Sequence, residues 1–257
     1  SGLDITYMVD FDTDAGDGAA FGSDENSIAI AGGFGKIVLG YDDDAGDSYN
    51  IDESDLIAED EGPTAVSATI GYSSSISSDD KMKIAYHLPA MGGLTAGISH
   101  TDNGFVEGSD SSSYGAKYTM DAAGASITLG YAVVNDENST QDVDQENMGM
   151  KIVSGDISVI ISQGGTESND EDIKNAGASI SYKMPNGMTV GAYTFKSEDD
   201  LDAGEEYSRS GAEIQYTIAS GLTAVINVDD YDYKKGSSDA TNSDSGTSSK
   251  FTLKAAF

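Results

Sequence analysis

The stretch Ala212-Glu213-Ile214-Gln215-Tyr216-Thr217-Ile218-Ala219-Ser220-Gly221-Leu222-Thr223-Ala224-Val225-Ile226-Asn227-Val228 carries apolar side chains at every second position on both sides of a short turn. Alternation with period two marks a β-strand with one apolar face. Helical 3.6-residue spacing is not sustained anywhere in the chain. The alternating rows recur at Leu3, Ile5, Tyr7, Val9 and Phe11, at Ile127, Leu129, Tyr131 and Val133, at Ile157, Val159 and Ile161, at Ala178, Ile180 and Tyr182, and at Phe251, Leu253, Ala255 and Phe257. Read outward from the 212–228 hairpin, the pattern predicts 14 strands. They lie near 2–11, 27–32, 34–41, 81–88, 94–101, 113–121, 125–134, 146–153, 156–163, 173–184, 188–196, 207–218, 221–228 and 248–257.

The connections alternate as well. Gly32-Gly33, Pro89-Ala90-Met91-Gly92-Gly93, Ala122-Ala123-Gly124, Ser154-Gly155, Pro185-Asn186-Gly187 and Ala219-Ser220-Gly221 are tight, and Gly and Asn supply the positive φ that such hairpins need. The links between them are long and polar, the longest running over 42–80. Short and long links in turn describe an up-and-down meander with one flat end and one elaborated end. Charge follows this division. Of 45 acids in the 257 residues, 40 fall in the long links, together with only Lys234 and Lys235 among the 13 bases. The formal net charge of -32 therefore belongs to one end of the strands.

Composition excludes several classes. With no Cys there is neither a disulfide framework nor a thiolate metal site. The charge balance argues against nucleic acid as a partner. Apolar runs are far short of the roughly 20 residues a transmembrane helix needs. No signal peptide precedes the first strand, so the chain reads as mature or trimmed.

Periodicity alone does not say which row of a strand faces water. A soluble barrel turns the apolar row inward, whereas a membrane barrel turns it out to lipid and keeps a polar lumen. Strand number favours the second, because side chains cannot fill a closed barrel of 14 or more strands. The opposite row, with Thr95, Gly97, Ser99, Ser179, Ser181, Thr223, Asn227 and Thr252, suits a wet channel. Lipid forbids open sheet edges, so closure is expected.

Lys250-Phe251-Thr252-Leu253-Lys254-Ala255-Ala256-Phe257 alternates up to a terminal Phe, and Gly32-Gly33-Phe34-Gly35-Lys36-Ile37-Val38-Leu39-Gly40 runs into a long acidic segment. In these features the chain resembles the bacterial outer-membrane porins, closest in style to those of alphaproteobacteria. The resemblance implies an all-β, transmembrane, up-and-down antiparallel β-barrel of 16 strands. About 14 of them are present here, within a single domain over 1–257. It also implies passive diffusion of small hydrophilic solutes and ions through the outer membrane of a Gram-negative bacterium. The partners it implies are membrane lipid and lipopolysaccharide, a homotrimer, and the barrel-assembly machinery reading Phe257. In that family a loop after the fifth strand folds into the barrel and narrows it. Here the corresponding segment, 42–80, follows the third predicted strand, so an initial hairpin is expected to be missing. A true 14-stranded barrel is the rival. The usual Pro-Glu-Phe-Gly-type loop motif is absent.

The candidate constriction carries Asp42, Asp43, Asp44, Asp47, Asp52, Glu53, Asp55, Glu59, Asp60 and Glu61. By alternation Lys36, Lys83, Lys117, Lys151, Lys183, Lys250 and Lys254 fall on the polar row, where they could oppose the acids across a pore and set up a transverse field. The many acids at one end predict cation preference. No cofactor is expected apart from calcium bound weakly by the loops. Asp42, Asp44 and Glu53 echo an EF-hand, although Gly46 and Asp47 transpose its required order. A calcium-binding surface-layer or adhesin-type β-protein is the alternative this leaves. Enzyme chemistry is poorly supplied. His87 and His100 are the two histidines, and only His100, near Asp102, could on paper serve a rim hydrolase. No catalytic residue is assigned.

Overall fold

The computed structural model describes residues 2–12, 22–57, 76, 81–102, 110–137, 142–202, 204–236 and 243–255. It contains 14 strands: β1 (Asp4–Asp12), β2 (Gly22–Gly32), β3 (Gly35–Asp42), β4 (Lys81–His87), β5 (Leu94–Asp102), β6 (Asp110–Ala122), β7 (Ala125–Glu137), β8 (Asp142–Ser154), β9 (Ile157–Glu167), β10 (Asp172–Lys183), β11 (Met188–Asp199), β12 (Glu206–Ala219), β13 (Leu222–Lys234) and β14 (Asp244–Ala255). They form one sheet in which each strand is hydrogen-bonded to the next in sequence. The pairs from β1–β2 to β5–β6 and from β9–β10 to β13–β14 are antiparallel, and the meander read from the sequence is the observed topology.

The tight turns follow from local chemistry. Between β6 and β7 two residues, Ala123 and Gly124, both take positive φ (52° and 82°), the combination a two-residue hairpin of type I′ requires. At the opposite end the strands run further than alternation suggests. β13 continues to Lys234 where the pattern stops at Val228, and it pairs Asp229 with Ser248 and Tyr233 with Asp244. β8 begins at Asp142 rather than 146. Backbone pairing needs no apolar side chain. Past the apolar band the outward row turns polar, with Asp230, Asp232 and Lys234 on β13 and Asp142, Asp144 and Glu146 on β8, so the apolar alternation of that row ends before the pairing does.

Burial is inverted relative to a water-soluble sheet. On β13, Ile226 and Val228 are 49% and 44% exposed, while Val225 and Asn227 between them are 0% and 1% exposed. On β12, Ile214, Tyr216 and Ile218 are exposed and Arg209 and Glu213 buried. On β9 and β10, Ile161 and Ile180 are exposed and Ser162 and Ser179 buried. Ser99 on β5, Ser113 on β6 and Asn147 on β8 are also buried, beside exposed Ile98, Tyr114 and Met148. An apolar row laid bare strand after strand far exceeds the few hundred Å² that a soluble monomer exposes, so lipid covers it. Placing arginine at Ile226 is expected to lower folding stability in lipid bilayers by about 2–4 kcal/mol. The same change at Ser210, on this row of β12 beyond the apolar band, should cost no more than about 1 kcal/mol. Urea unfolding midpoints of the two variants check this.

The chain divides into two compact units. One comprises Ser1–Asn50, Ile76–Tyr118 and Gly130–Glu146, and the other Ile51–Ser75, Thr119–Leu129 and Asn147–Phe257.

Candidate functional site

In the first unit, the chain leaving β3 turns onto the polar row. Asp43 donates its N–H to the Asp42 carboxylate at 3.0 Å. Asp44 then meets Lys83, Nζ to Oδ1 3.0 Å, with side chains 5% and 1% exposed respectively. The next two backbone N–H groups are taken by the wall. Ala45 donates to Ser99 Oγ at 2.9 Å and Gly46 to Ser113 Oγ at 2.8 Å. Ser113 in turn donates to the Val133 carbonyl. Ala45 packs against Val38 and Ala85. Small hydroxylic residues at these wall positions let a loop's backbone approach closely enough to be hydrogen-bonded.

A 3₁₀ turn at Asp47–Tyr49 follows. Tyr49 lies across Gly97 and Gly115, which are direct cross-strand partners on β5 and β6. A Cβ at Gly97 would stand 2.9 Å from the Tyr49 ring, and one at Gly115 would stand 2.8 Å from Tyr49 Cβ. The paired glycines thus form the slot that seats the phenol. At the end of the slot the Tyr49 hydroxyl is hydrogen-bonded to His87 Nδ1 at 2.8 Å.

In the second unit the loop continues in the same manner. Ile51 donates its N–H to buried Asn147 Oδ1 at 3.3 Å, and its backbone occupies the space a side chain would take at Gly149. Asp52 caps a second 3₁₀ turn, Glu53–Leu56, by accepting the Ser54 N–H at 2.8 Å. The Glu53 carboxylate, 2% exposed, fills the space at Gly177 and accepts a hydrogen bond from Ser162 Oγ at 2.7 Å. Ile57 reaches Gly191 on β11.

The acids read as one rim therefore divide into two kinds. Asp44, Asp52 and Glu53 are buried anchors, whereas Asp43 and Asp55 are exposed and Asp42 and Asp47 half-buried. Glu59, Asp60 and Glu61, like Phe257, lie outside the described residues. Lys83 is brought onto the loop. Lys36, Lys117, Lys151, Lys183, Lys250 and Lys254 stand on the polar row. Lys36 is opposite His87, Lys250 opposite Asn227 and Lys254 opposite Thr223. Of the acids that echo an EF-hand, Asp44 is engaged by Lys83 in the first unit and Glu53 by Ser162 in the second. No group of three or more His, Asp or Glu that could hold a metal ion occurs among the described residues. His100 hydrogen-bonds Ser112 at 3.1 Å on an exposed position, and His87 is engaged by Tyr49.

Sequence reading missed a second feature of the polar row. Ile173, Phe195, Tyr207 and Tyr233 form a buried cluster on β10–β13. Beside it the chain's lone arginine, Arg209, pairs with Asp229 at 3.3 Å and stacks over Tyr193 at 5.0 Å. Aromatics at odd positions 193, 195, 207 and 233, out of phase with the lipid-facing even row, were the available signal. At this loop end, burial and the neighbouring charges of Asp199 and Asp170 push the Glu171 carboxyl up, a sign of crowded negative charge.

Comparison with known proteins places these features. The family described as Gram-negative porin matches residues 1–256. No curated protein matches the sequence at a significant level. Among solved structures, the anion-selective porin from Comamonas acidovorans is similar with a TM-score of 0.68 at 16% identity, over 99% of this chain and 83% of that one. The trimer form of OmpT from Vibrio cholerae gives 0.63 at 12% identity, over 91% and 82%. OccAB4 from Acinetobacter baumannii gives 0.64 at 12% identity, over 95% and 67%. These likenesses show the fold, that of the porin β-barrel.

Proposed function

This chain belongs to the Gram-negative porin family and resides in the outer membrane as a porin channel; from that premise we propose that it passes small hydrophilic solutes and ions by passive diffusion, with cations preferred. The observation that carries the reading is the loop seated on the polar row by Asp44–Lys83, Tyr49 and Glu53, while the apolar row of the same strands is bare. A loop so placed narrows a wet lumen without closing it. Its exposed acids, Asp43 and Asp55, are the ones that meet passing ions, while Asp44 and Glu53 are spent on anchoring. The acidic long links raise the local cation concentration at the entrance.

Selectivity is not inherited from the fold, since a structural neighbour is described as anion-selective. The test is the reversal potential of single channels under a salt gradient in a planar bilayer. Cation preference drives the dilute side positive. A potential of the opposite sign would overturn it. A homotrimer and lipopolysaccharide contact at the loop side complete the proposal, supported by the trimer form of one neighbour. Unheated gel migration compared with boiled protein tests the trimer.

A further inference from the structure

Lys83 lies level with the loop through its pair with Asp44, Lys36 is in cross-strand register with the Gly97–Gly115 slot, and Lys250 with Gly191, whereas Lys117, Lys151, Lys183 and Lys254 lie below the loop, toward the tight turns. In the first unit, Gly115, which seats Tyr49, is followed two residues later by Lys117 toward the tight turn that ends β6. Lys36 sits one residue inside β3 from its tight turn. In the second unit, Gly149, which seats Ile51, is followed two residues later by Lys151 toward the tight turn that ends β8. Lys183 is the last residue of β10 at such a turn, and Lys254 is one residue from the end of β14. Two residues along a strand are one step on the same face, roughly 7 Å. Each unit therefore repeats one vertical order on its polar row: acids at the long-link end, a glycine holding the loop, and lysine below it. Asp4, Asp121 and Asp156 are the acids near the tight-turn end of the described strands and turns, too few against Lys36, Lys117, Lys151, Lys183 and Lys254 to reverse the sign there.

We infer that the charge separation of this porin is axial as well as transverse, and that the channel rectifies ion current. The inference rests on the porin reading above. Its direction follows from elementary electrostatics. With the long-link side positive, cations are driven in through the acidic half and anions through the lysine half. Both move toward the level of the loop, where carriers accumulate and conductance rises. With the long-link side negative, both are drawn away and the middle is depleted. The lysines act as specificity-determining residues for the direction of flow. Their field reaches across a pore only when the screening length is comparable to its width. That length is about 10 Å at 0.1 M salt and about 3 Å at 1 M.

The experiment is a single-channel current–voltage curve in symmetric salt. Because the chain has no cysteine, Asn169→Cys in the link between β9 and β10, labelled from one chamber with a bulky impermeant maleimide, reports which way each channel faces. At ~0.1 M salt the current should be at least about 1.5-fold larger with the long-link side positive, and the ratio should approach one at ~1 M. The Lys36→Gln/Lys151→Gln/Lys183→Gln variant should lose the asymmetry at low salt while keeping the wild-type gel mobility of the folded form. An ohmic wild-type channel at low salt, or rectification of the opposite sign, overturns the inference. So does a ratio unchanged in the triple variant. Absence of any conducting event would instead overturn the porin reading itself, which separates the two failures.

Discussion

Lys83→Met is expected to cost about 3–5 kcal/mol and to free the first half of the docked loop. Lys83 and Asp44 are both buried on the polar row at 3.0 Å. Removing the ammonium leaves a carboxylate held out of water beside an apolar chain, and desolvation of that carboxylate dominates the loss. The protein can avoid part of this cost by letting Asp44 return to water. That move takes with it the Ala45 and Gly46 hydrogen bonds to Ser99 and Ser113. Unfolding midpoints should fall and single-channel conductance should rise together. Converting Asp44 to Met in the same chain should recover most of the stability, because an apolar pair replaces the ion pair without leaving a buried charge. A Lys83→Met protein with unchanged midpoint and conductance would show that the pair does not hold the loop.

Gly177→Leu should eject the second half of the loop and raise conductance about twofold, the expected result of widening a constriction. The Glu53 carboxylate and Cγ fill the volume a side chain would need at Gly177. Gly177 is not among the positive-φ glycines, so the effect is one of space and not of backbone strain. Gly191→Ala provides the contrast. Its Cβ would come closest to the flexible Ile57 Cδ1 at 3.2 Å, which can shift by a few tenths of an ångström, and would stand at ordinary contact distance, 3.4 Å, from the Ile180 carbonyl oxygen. That variant should keep wild-type conductance. Equal conductance in wild type and Gly177→Leu would remove Glu53 from the anchoring role.

The strand count and meander were legible because alternation is a local signal, repeated wherever one face meets lipid. Ile214, Tyr216 and Ile218 show it as plainly in sequence as in exposure. What alternation does not carry is which chain segment covers the other face. Gly97, Gly115, Gly149 and Gly177 read in sequence as ordinary strand residues. Their meaning appears only when Tyr49, Ile51 and Glu53, distant in sequence, come to rest against them. For the same reason ten acids of one segment looked like a single rim. A carboxylate that will be buried against Lys83 or Ser162 has the same letter as one left in water. The ends of β8 and β13 were hidden because pairing outlasts the apolar band. The core around Arg209 was hidden because its aromatics occupy the row expected to be wet.

A cysteine scan of β12 and β14 distinguishes the row that faces lipid from the row that faces water. Single cysteines would be placed at 214–218 and 251–254 of the folded protein in lipid vesicles. Positions 215, 217, 252 and 254 are predicted to react with a water-soluble maleimide. Positions 214, 216, 218, 251 and 253 are predicted to resist it, and fluorophores attached there before folding should be quenched by brominated acyl chains. The reverse pattern, with the even row of β12 open to the aqueous reagent and the odd row sealed, would show that the apolar row does not face lipid.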